Sequence, residues 1–116
     1  MLFEVEGRLR FRKPVDEIRD DVLGIVRANM ELLVKGAPSR EEAAELKEVR
    51  VEGDSVILVI ESGRKVRAHD VLLRFARVLS EELGRRHKIG LRELEVPRCV
   101  VRIQSDSPGR DAGRLA

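Results

Sequence analysis

The hydrophobic residues of this chain change their spacing from one segment to the next, and that change constrains its fold class. Residues 2–12 alternate, with Phe3, Val5, Leu9 and Phe11 on one face and Glu4, Glu6, Arg8, Arg10 and Arg12 on the other. This alternation predicts a half-buried β-strand, which we expect at a sheet edge. Two later segments repeat instead every three or four residues, as amphipathic helices do. The chain therefore combines strands with helices.

Three helices are predicted. The first begins after Pro14 and ends at Gly36 and Pro38, with the apolar stripe Ile18, Val22, Ile25, Val26, Met30 and Leu33. A capping-box pattern at residues 39–42 predicts a short second helix to about Leu46. The third has Asp70 as its N-cap and ends at Gly84, with the stripe Val71, Leu72, Phe75, Ala76, Leu79 and Leu83.

The remaining apolar segments predict strands. Residues 49–51 and 56–60 flank Gly53-Asp54, which indicates a β-hairpin. A turn at Ser62-Gly63 precedes a predicted short strand at residues 64–68. Two more strands are predicted at residues 89–96 and 98–104, separated by Pro97 because proline cannot donate to a central ladder.

The resulting order, β-α-α-β-β-β-α-β-β, indicates an α+β fold. We expect an antiparallel sheet of about six strands, covered on one face by two or three helices. Residues 1–104 are predicted to form one domain, and residues 105–116 a disordered tail because they contain almost no large apolar residue.

Charge is concentrated in one segment of the chain. The net charge is only +2, but residues 63–92 contain nine basic residues against three acidic ones, whereas residues 1–62 are acidic on balance. The nine are Arg64, Lys65, Arg67, Arg74, Arg77, Arg85, Arg86, Lys88 and Arg92. Such a patch attracts a polyanion, since charges interact over a Debye length of roughly 8 Å. The alternative is that these residues serve only solubility and the dipole of the helix.

We interpret these nine residues as an RNA-binding surface. Arg74 and Arg77 are one helical turn apart, so both guanidinium groups project towards neighbouring phosphates. The only aromatic residues are three phenylalanines, which leaves no stacking platform of the kind that single-strand readers use. The predicted ligand is therefore folded, double-helical RNA, contacted through its phosphates.

No catalytic residue, metal site or cofactor is predicted. His69 and His87 are expected to be separated by a helix and have no further ligand at zinc-like spacing. Cys99 is predicted to be a buried structural thiol, and a single cysteine fits a reducing compartment, the cytoplasm. The acidic residues Asp16, Glu17, Asp20 and Asp21 are interpreted as dipole partners at a helix start. No membrane partner is expected, because no signal peptide or span is evident. No small-molecule substrate is expected, because the sequence has no phosphate-binding glycine loop and no group that would activate a substrate.

Residues 61–74, ESGRKVRAHDVLLR, together with LSEELG at 79–84 and KIGLR at 88–92, resemble the N-terminal domain of methanogenic-type archaeal seryl-tRNA synthetases. The similarity extends from Leu2 to about Ile103. In that family the domain is an antiparallel sheet capped by helices that binds tRNA, while a separate class II domain forms the aminoacyl bond. The resemblance implies that Arg74, Arg77 and Arg92 contact tRNA, with serine tRNA and a synthetase as expected partners.

Three functions remain open at this point. The favoured one is a non-catalytic tRNA-binding module of translation, stand-alone or truncated before any catalytic domain, which could assist a synthetase in trans. The alternative is a protein-interaction or regulatory module with the same fold that does not bind RNA. A small enzyme is the least favoured, since it requires a preorganised acid, base or nucleophile. The excess of arginine over lysine and the scarcity of amides also favour a thermophilic source.

Overall fold

The computed structural model describes residues 1–37, 39 and 43–102, and within them it has four strands and two α-helices. In chain order these are β1 (Leu2–Phe11), α1 (Arg19–Ala28), β2 (Glu45–Glu52), β3 (Ser55–Ser62), α2 (Lys65–His87) and β4 (Leu91–Arg102). The strands form one antiparallel sheet in the order β2-β3-β1-β4, and the helices pack on one face. The α+β class is confirmed, with four strands in the described residues rather than about six.

The first strand lies in the middle of the sheet, not at its edge as predicted. Its alternation is confirmed, since Val5, Leu9 and Phe11 are at most 1% exposed. Val5 pairs with Ile60 on one side and with Cys99 on the other. An interior position is compatible with the charged face of β1 because that face points away from the helices. The edge strands are β2 and β4.

The helix layer packs closely on β1 and β3 because one position in the sheet lacks a side chain. A Cβ atom on Gly7 of β1 would lie 2.5 Å from Cδ1 of Leu72 on α2. Leu72, Phe75 and Leu79 are fully buried there, and α1 completes the core through Val22, Ile25 and Val26. The core is thus almost entirely aliphatic, and it fixes α2 rigidly above the sheet.

The helix predicted to follow Pro14 is divided into three parts. Short 3-10 helices, Asp16–Ile18 and Met30–Leu33, flank α1. The break at Asn29 has a local cause, because its backbone is not helical (φ −120°, ψ 23°) and its side-chain Nδ2 donates to the carbonyl oxygen of Ile25 at 2.8 Å. Such side-chain bonds compete with continuation of a helix.

The predicted strand at residues 64–68 is wrong, since these residues lie at the start of α2. In the sequence, Val66 and Ala68 alternate with basic residues as in a strand, but Val66 is 78% exposed and Ala68 is fully buried, which two residues on one face of a strand would not be. The helical register shows only further on, where Ala68, Val71 and Leu72 are buried together. Asp70 therefore lies inside the helix and is not its N-cap.

The C-terminal end of α2 also differs from the prediction. The helix passes through Gly84 and ends at His87, because Lys88, rather than Gly84, has the left-handed conformation (φ 58°). The amide of Lys88 donates to Gly84 O and that of Ile89 to Leu83 O, both at 3.2 Å. A left-handed residue other than glycine costs about 1–2 kcal/mol. The protein therefore tolerates strain at Lys88.

The two strands predicted around Pro97 are one strand, β4. The register shifts between Glu6 and Arg8 of β1, opposite residues 95–98 of β4, and this irregularity accommodates the proline at the edge of the sheet. Cys99 is exposed, contrary to the predicted burial, because α2 lies mainly over β1 and β3.

Two predictions fall partly or wholly outside the described residues. Pro38 and residues 40–42, in and beside the predicted second helix, are not described, although Leu46 at its expected end belongs to β2. The predicted domain limit at residue 104 and the tail at 105–116 are likewise outside the described residues.

Candidate nucleic-acid interface

The nine basic residues predicted to bind RNA lie on α2 or within five residues of its ends. Eight of them are exposed and only Arg67 is partly buried. Because α2 has 23 residues, it presents these side chains along roughly 35 Å. The structure thus places the whole set on one rigid element, but it divides them by what each contacts.

The N-terminal end of α2 is unusually positive. Its N-cap, Arg64, makes no side-chain cap, and the first turn has no acidic residue. Lys65 is exposed and makes no ion pair with any residue that the structure describes. Since the free backbone amides of a helix start also favour negative charge, basic side chains here reinforce attraction for a phosphate.

Arg74 and Arg77 project from the middle of α2, as predicted. Nε of Arg74 lies 3.0 Å from Oδ2 of Asp70, whereas Arg77 has no ion pair among the described residues. Both line a shallow groove with Leu32, Lys35, Asp70, Leu73 and Val78. Sequence reasoning missed Lys35, since only tertiary packing brings the segment after the 3-10 helix beside α2.

Arg67 holds the polypeptide chain rather than facing solvent. Its Nη2 donates to the carbonyl oxygens of Leu33 at 3.2 Å and Lys35 at 2.6 Å. These bonds tie the end of the 3-10 helix to α2 and thereby set the position of Lys35. The structural role of Arg67 was not evident from the sequence because its partners are carbonyl groups 32 and 34 residues away.

Arg85 and Arg86 are largely neutralised by acidic neighbours. Both donate to Oε1 of Glu82, and Nη1 of Arg86 lies 2.7 Å from Oδ1 of Asp21. The hydrogen bond from Arg85 is the main reason that the pKa of Glu82 is lowered. These contacts reduce the positive potential between Arg77 and the end of the helix.

Asp21 of α1 joins the two helices at this end. Its Oδ2 lies 2.6 Å from Nε2 of His87. That hydrogen bond is the main cause of its lowered pKa, with Arg86 acting in the same direction and partial burial opposing both. Asp21 was predicted only to interact with the dipole at the start of a helix. In the structure it also links α1 to the C-terminal end of α2.

Beyond the end of α2, Lys88 and Arg92 lie next to two basic residues that sequence reasoning omitted. The amide of Arg12 donates to Gly90 O at 2.9 Å, and Arg12 Cδ lies 3.5 Å from where a Gly90 Cβ would be. Lys13 follows directly. Pairing of Phe11 with Leu91 brings these segments together across 80 residues, which no local sequence signal could indicate.

Other candidate sites gain no support in the part of the chain that the structure describes. His69 and His87 both lie within α2, roughly 27 Å apart along its axis, rather than one before and one after the helix as predicted. Within residues 1–37, 39 and 43–102, no group of three or more His, Cys, Asp or Glu residues could hold a metal ion. No helix among these residues is long and apolar enough to cross a membrane.

Comparison with known proteins identifies the class to which this fold and basic helix belong. A family model described as a tRNA-binding domain matches residues 1–114, so the chain belongs to this family of tRNA-binding domains. Among individual proteins, it is 38% identical over 108 residues to the type-2 serine–tRNA ligase of Methanothermobacter thermautotrophicus, covering 90% of this chain and 21% of the ligase. It is 36% identical over 107 residues to that of Methanopyrus kandleri, covering 90% and 20%.

A solved structure agrees with these relatives. The fold superimposes with a TM-score of 0.73 and 30% identity on a chain from the crystal structure of A. aeolicus tRNASec in complex with M. kandleri SerRS, covering 91% of this chain and 21% of that one. The chain thus spans about a fifth of the length of the relatives that it matches. The predicted resemblance to archaeal seryl-tRNA synthetases is confirmed.

Proposed function

We propose that this chain binds tRNA through α2 and performs no aminoacylation itself. The observation that carries the proposal is the match of a tRNA-binding domain family to nearly the whole chain, on a fold that exposes eight basic side chains along and just beyond one helix. The ligand would be gripped by its phosphates, because exposed arginine and lysine side chains supply charge and hydrogen-bond donors but no base-stacking surface.

The central contacts are assigned to Arg74 and Arg77, with Lys35 beside them. Support comes from their exposure and from the groove that all three line. Arg77 has a charge that no described residue compensates. Arg74 would exchange Asp70 for a phosphate, which is feasible because an exposed ion pair of this kind is worth only about 0.5 kcal/mol. Lys65 and Arg64 would meet the backbone near the start of the helix.

The test is a salt titration of binding to purified tRNA. We expect micromolar binding by the wild-type chain that weakens steeply with salt, because each phosphate contact releases counterions. The Arg74→Glu/Arg77→Glu variant should lose most of this affinity. Arg50→Glu/Arg98→Glu is the matched control, since it reverses two exposed charges on the sheet face turned away from the helices.

Two outcomes would oppose the proposal. Absence of binding near physiological salt would show that tRNA is not the ligand. The protein-interaction function would then be the favoured one. An equal loss of tRNA affinity in both double variants would show that tRNA responds to the net charge of the protein and not to a specific binding surface on α2.

Further partners follow from the same proposal. Serine tRNA is the first candidate, because the matched relatives are serine–tRNA ligases, and a synthetase catalytic domain is the candidate protein partner. Competition between serine tRNA and unfractionated tRNA would test the former. A tRNA ligand would place the chain in the cytoplasm, where translation occurs.

A further inference from the structure

We propose that Arg12, Lys13, Lys88 and Arg92 form a second phosphate-binding cluster at the C-terminal end of α2, so that folded RNA is held at two separate points of its backbone. This inference rests on the proposed function and extends it to Arg12 and Lys13, which directly follow β1 and which the comparisons do not assign. The four residues are called the end cluster below.

The end cluster is assembled by the sheet. Phe11, the last residue of β1, pairs with Leu91, the first residue of β4, so the chain that follows β1 lies against the turn that follows α2. The side chain of Arg12 lies along Gly90, with Cδ and Nε 3.5 and 3.7 Å from the position of a Gly90 Cβ. Lys88 and Arg92 are each two residues from Gly90, so their Cα atoms lie within about 7 Å of it. Glycine at this position leaves room for the arginine.

The charges of the end cluster are not compensated. All four side chains are exposed, and none makes an ion pair with a residue that the structure describes. Two nearby arginines, in contrast, are paired with carboxylates. Arg10 lies 3.8 Å from Glu93, and Arg86 contacts both Glu82 and Asp21. Four positive charges on neighbouring backbone segments, with no counter-charge among the described residues, favour the approach of an anion.

The backbone of Lys88 gives a second and independent observation. Lys88 has φ 58° at the end of α2, a conformation that favours glycine, and the chain needs it there to reverse direction. Non-glycine residues held in this region cluster at ligand-binding positions, where surrounding structure compensates for the strain. Contact of the Lys88 side chain with a phosphate would give a reason for a lysine, rather than glycine, at this position.

The distance between the two basic regions restricts the ligand. From Arg77 to Lys88 the helix rises roughly 17 Å, and from Arg74 roughly 21 Å. A single phosphate cannot contact both regions, and the intervening arginines Arg85 and Arg86 are engaged by Glu82. The ligand that fits is an RNA whose folding brings two backbone segments, or two turns of one helix, to α2. A short unstructured oligonucleotide would not hold two backbone segments at this separation, so we expect it to bind more weakly.

The first experiment removes charge from the end cluster without reversing it. We expect Arg12→Gln/Lys13→Gln to weaken binding of purified tRNA several-fold and to lower the slope of log affinity against log salt by about two, one for each phosphate that the variant no longer binds. Arg50→Gln/Arg98→Gln, on the far face of the sheet, should change the slope by less than half as much. An unchanged slope in Arg12→Gln/Lys13→Gln would overturn the proposal.

The second experiment separates stability from binding at a single residue. Lys88→Gly supplies the residue that φ 58° favours, so its melting temperature should equal or exceed that of the wild type, while its tRNA affinity falls. Wild-type affinity in Lys88→Gly would contradict the proposed role of this side chain. A lower melting temperature would remove the argument from backbone strain.

The outcomes distinguish this inference from the proposed function. If the wild-type chain fails to bind tRNA, the proposed function fails and the end cluster fails with it. If Arg74→Glu/Arg77→Glu abolishes binding while the end-cluster variants keep the wild-type affinity and salt slope, tRNA binding stands and only the second site is refuted.

Discussion

Asp21 is the residue whose ionisation most directly affects how the two helices are held together. It accepts from Arg86 at 2.7 Å and lies 2.6 Å from Nε2 of His87. Because these contacts lower its pKa below 3.8, the carboxylate stabilises the folded state at every pH above its unfolded value. That contribution is lost as the pH falls through the lowered pKa of the folded state.

Replacing Asp21 with asparagine should therefore destabilise the protein in a pH-dependent way. At pH 7 we expect Asp21→Asn to cost about 1 kcal/mol, a value at the upper end of surface ion pairs, because the side chain remains about one-third exposed. Urea unfolding of variant and wild type at pH 7 and at about pH 2.5 would measure the difference, which should shrink in acid. Asp20→Asn is the matched control, and an equal loss in both variants would contradict the argument.

Gly7 supports a second prediction at a single residue. Gly7→Ala would place a Cβ 2.5 Å from Leu72, which is itself fully buried and cannot move into open space, so a loss of about 1–3 kcal/mol is expected. Gly24→Ala is the control, since nothing lies within 4 Å of its Cβ position and alanine favours a helix interior, so a gain of up to about 1 kcal/mol is expected. Thermal unfolding measures both. The argument fails if Gly7→Ala is neutral, and Leu72→Val should partly rescue it.

At the level of elements, the face of the sheet opposite the helices is covered by its own charged side chains. Ile57 of β3 is 1% exposed there, although no helix packs on it. Its cross-strand partners are Arg8 on β1 and Arg50 on β2. Long basic side chains cover apolar surface with their methylene groups while the charged ends reach water. The sheet therefore buries hydrophobic residues on both faces.

Arg8 tests whether packing or charge matters on this face. Its Nε is buried without a hydrogen-bond partner among the residues described, so Arg8→Met should be neutral or up to about 1 kcal/mol stabilising. Arg8→Ala removes the charge as well as the cover of Ile57 and should cost about 1 kcal/mol. Chemical denaturation of the two variants provides the comparison. If methionine and alanine are equally destabilising, charge rather than cover is what Arg8 supplies.

Helices and strands could be predicted from the sequence where local interactions determine them, but not where tertiary contacts do. The apolar stripe of α2 and the Gly53-Asp54 hairpin were predicted because their signals lie within a few residues of each other. The ends of α2 were not, since apolar and basic residues alternate in the sequence of its first turn, and a lysine takes the position expected of glycine. The local sequence pattern does not indicate that a lysine adopts a left-handed conformation, because the strain is compensated by tertiary contacts.

For the whole molecule, sequence predicted the helix that carries the basic residues but not which charges remain available. The division arises from contacts distant in sequence, as when Asp21 engages Arg86 and Arg12 joins Gly90. Sheet order was missed for a related reason. Alternation shows that a strand has one buried face, but an edge strand and an interior strand with a solvent-facing side have the same alternation.

The central position of β1 has a consequence for synthesis of the chain. Its neighbours are residues 55–62 and 91–102, so β1 is synthesised before either of them exists. At typical translation rates the interval between synthesis of β1 and completion of its first neighbour is roughly 3–10 s, and until then neither hydrogen-bonding edge of β1 has its native partner. The charges at Glu4, Glu6, Arg8 and Arg10 make association with other nascent chains unfavourable during that time. The charged face of β1 thus protects the newly made strand until its partners are synthesised.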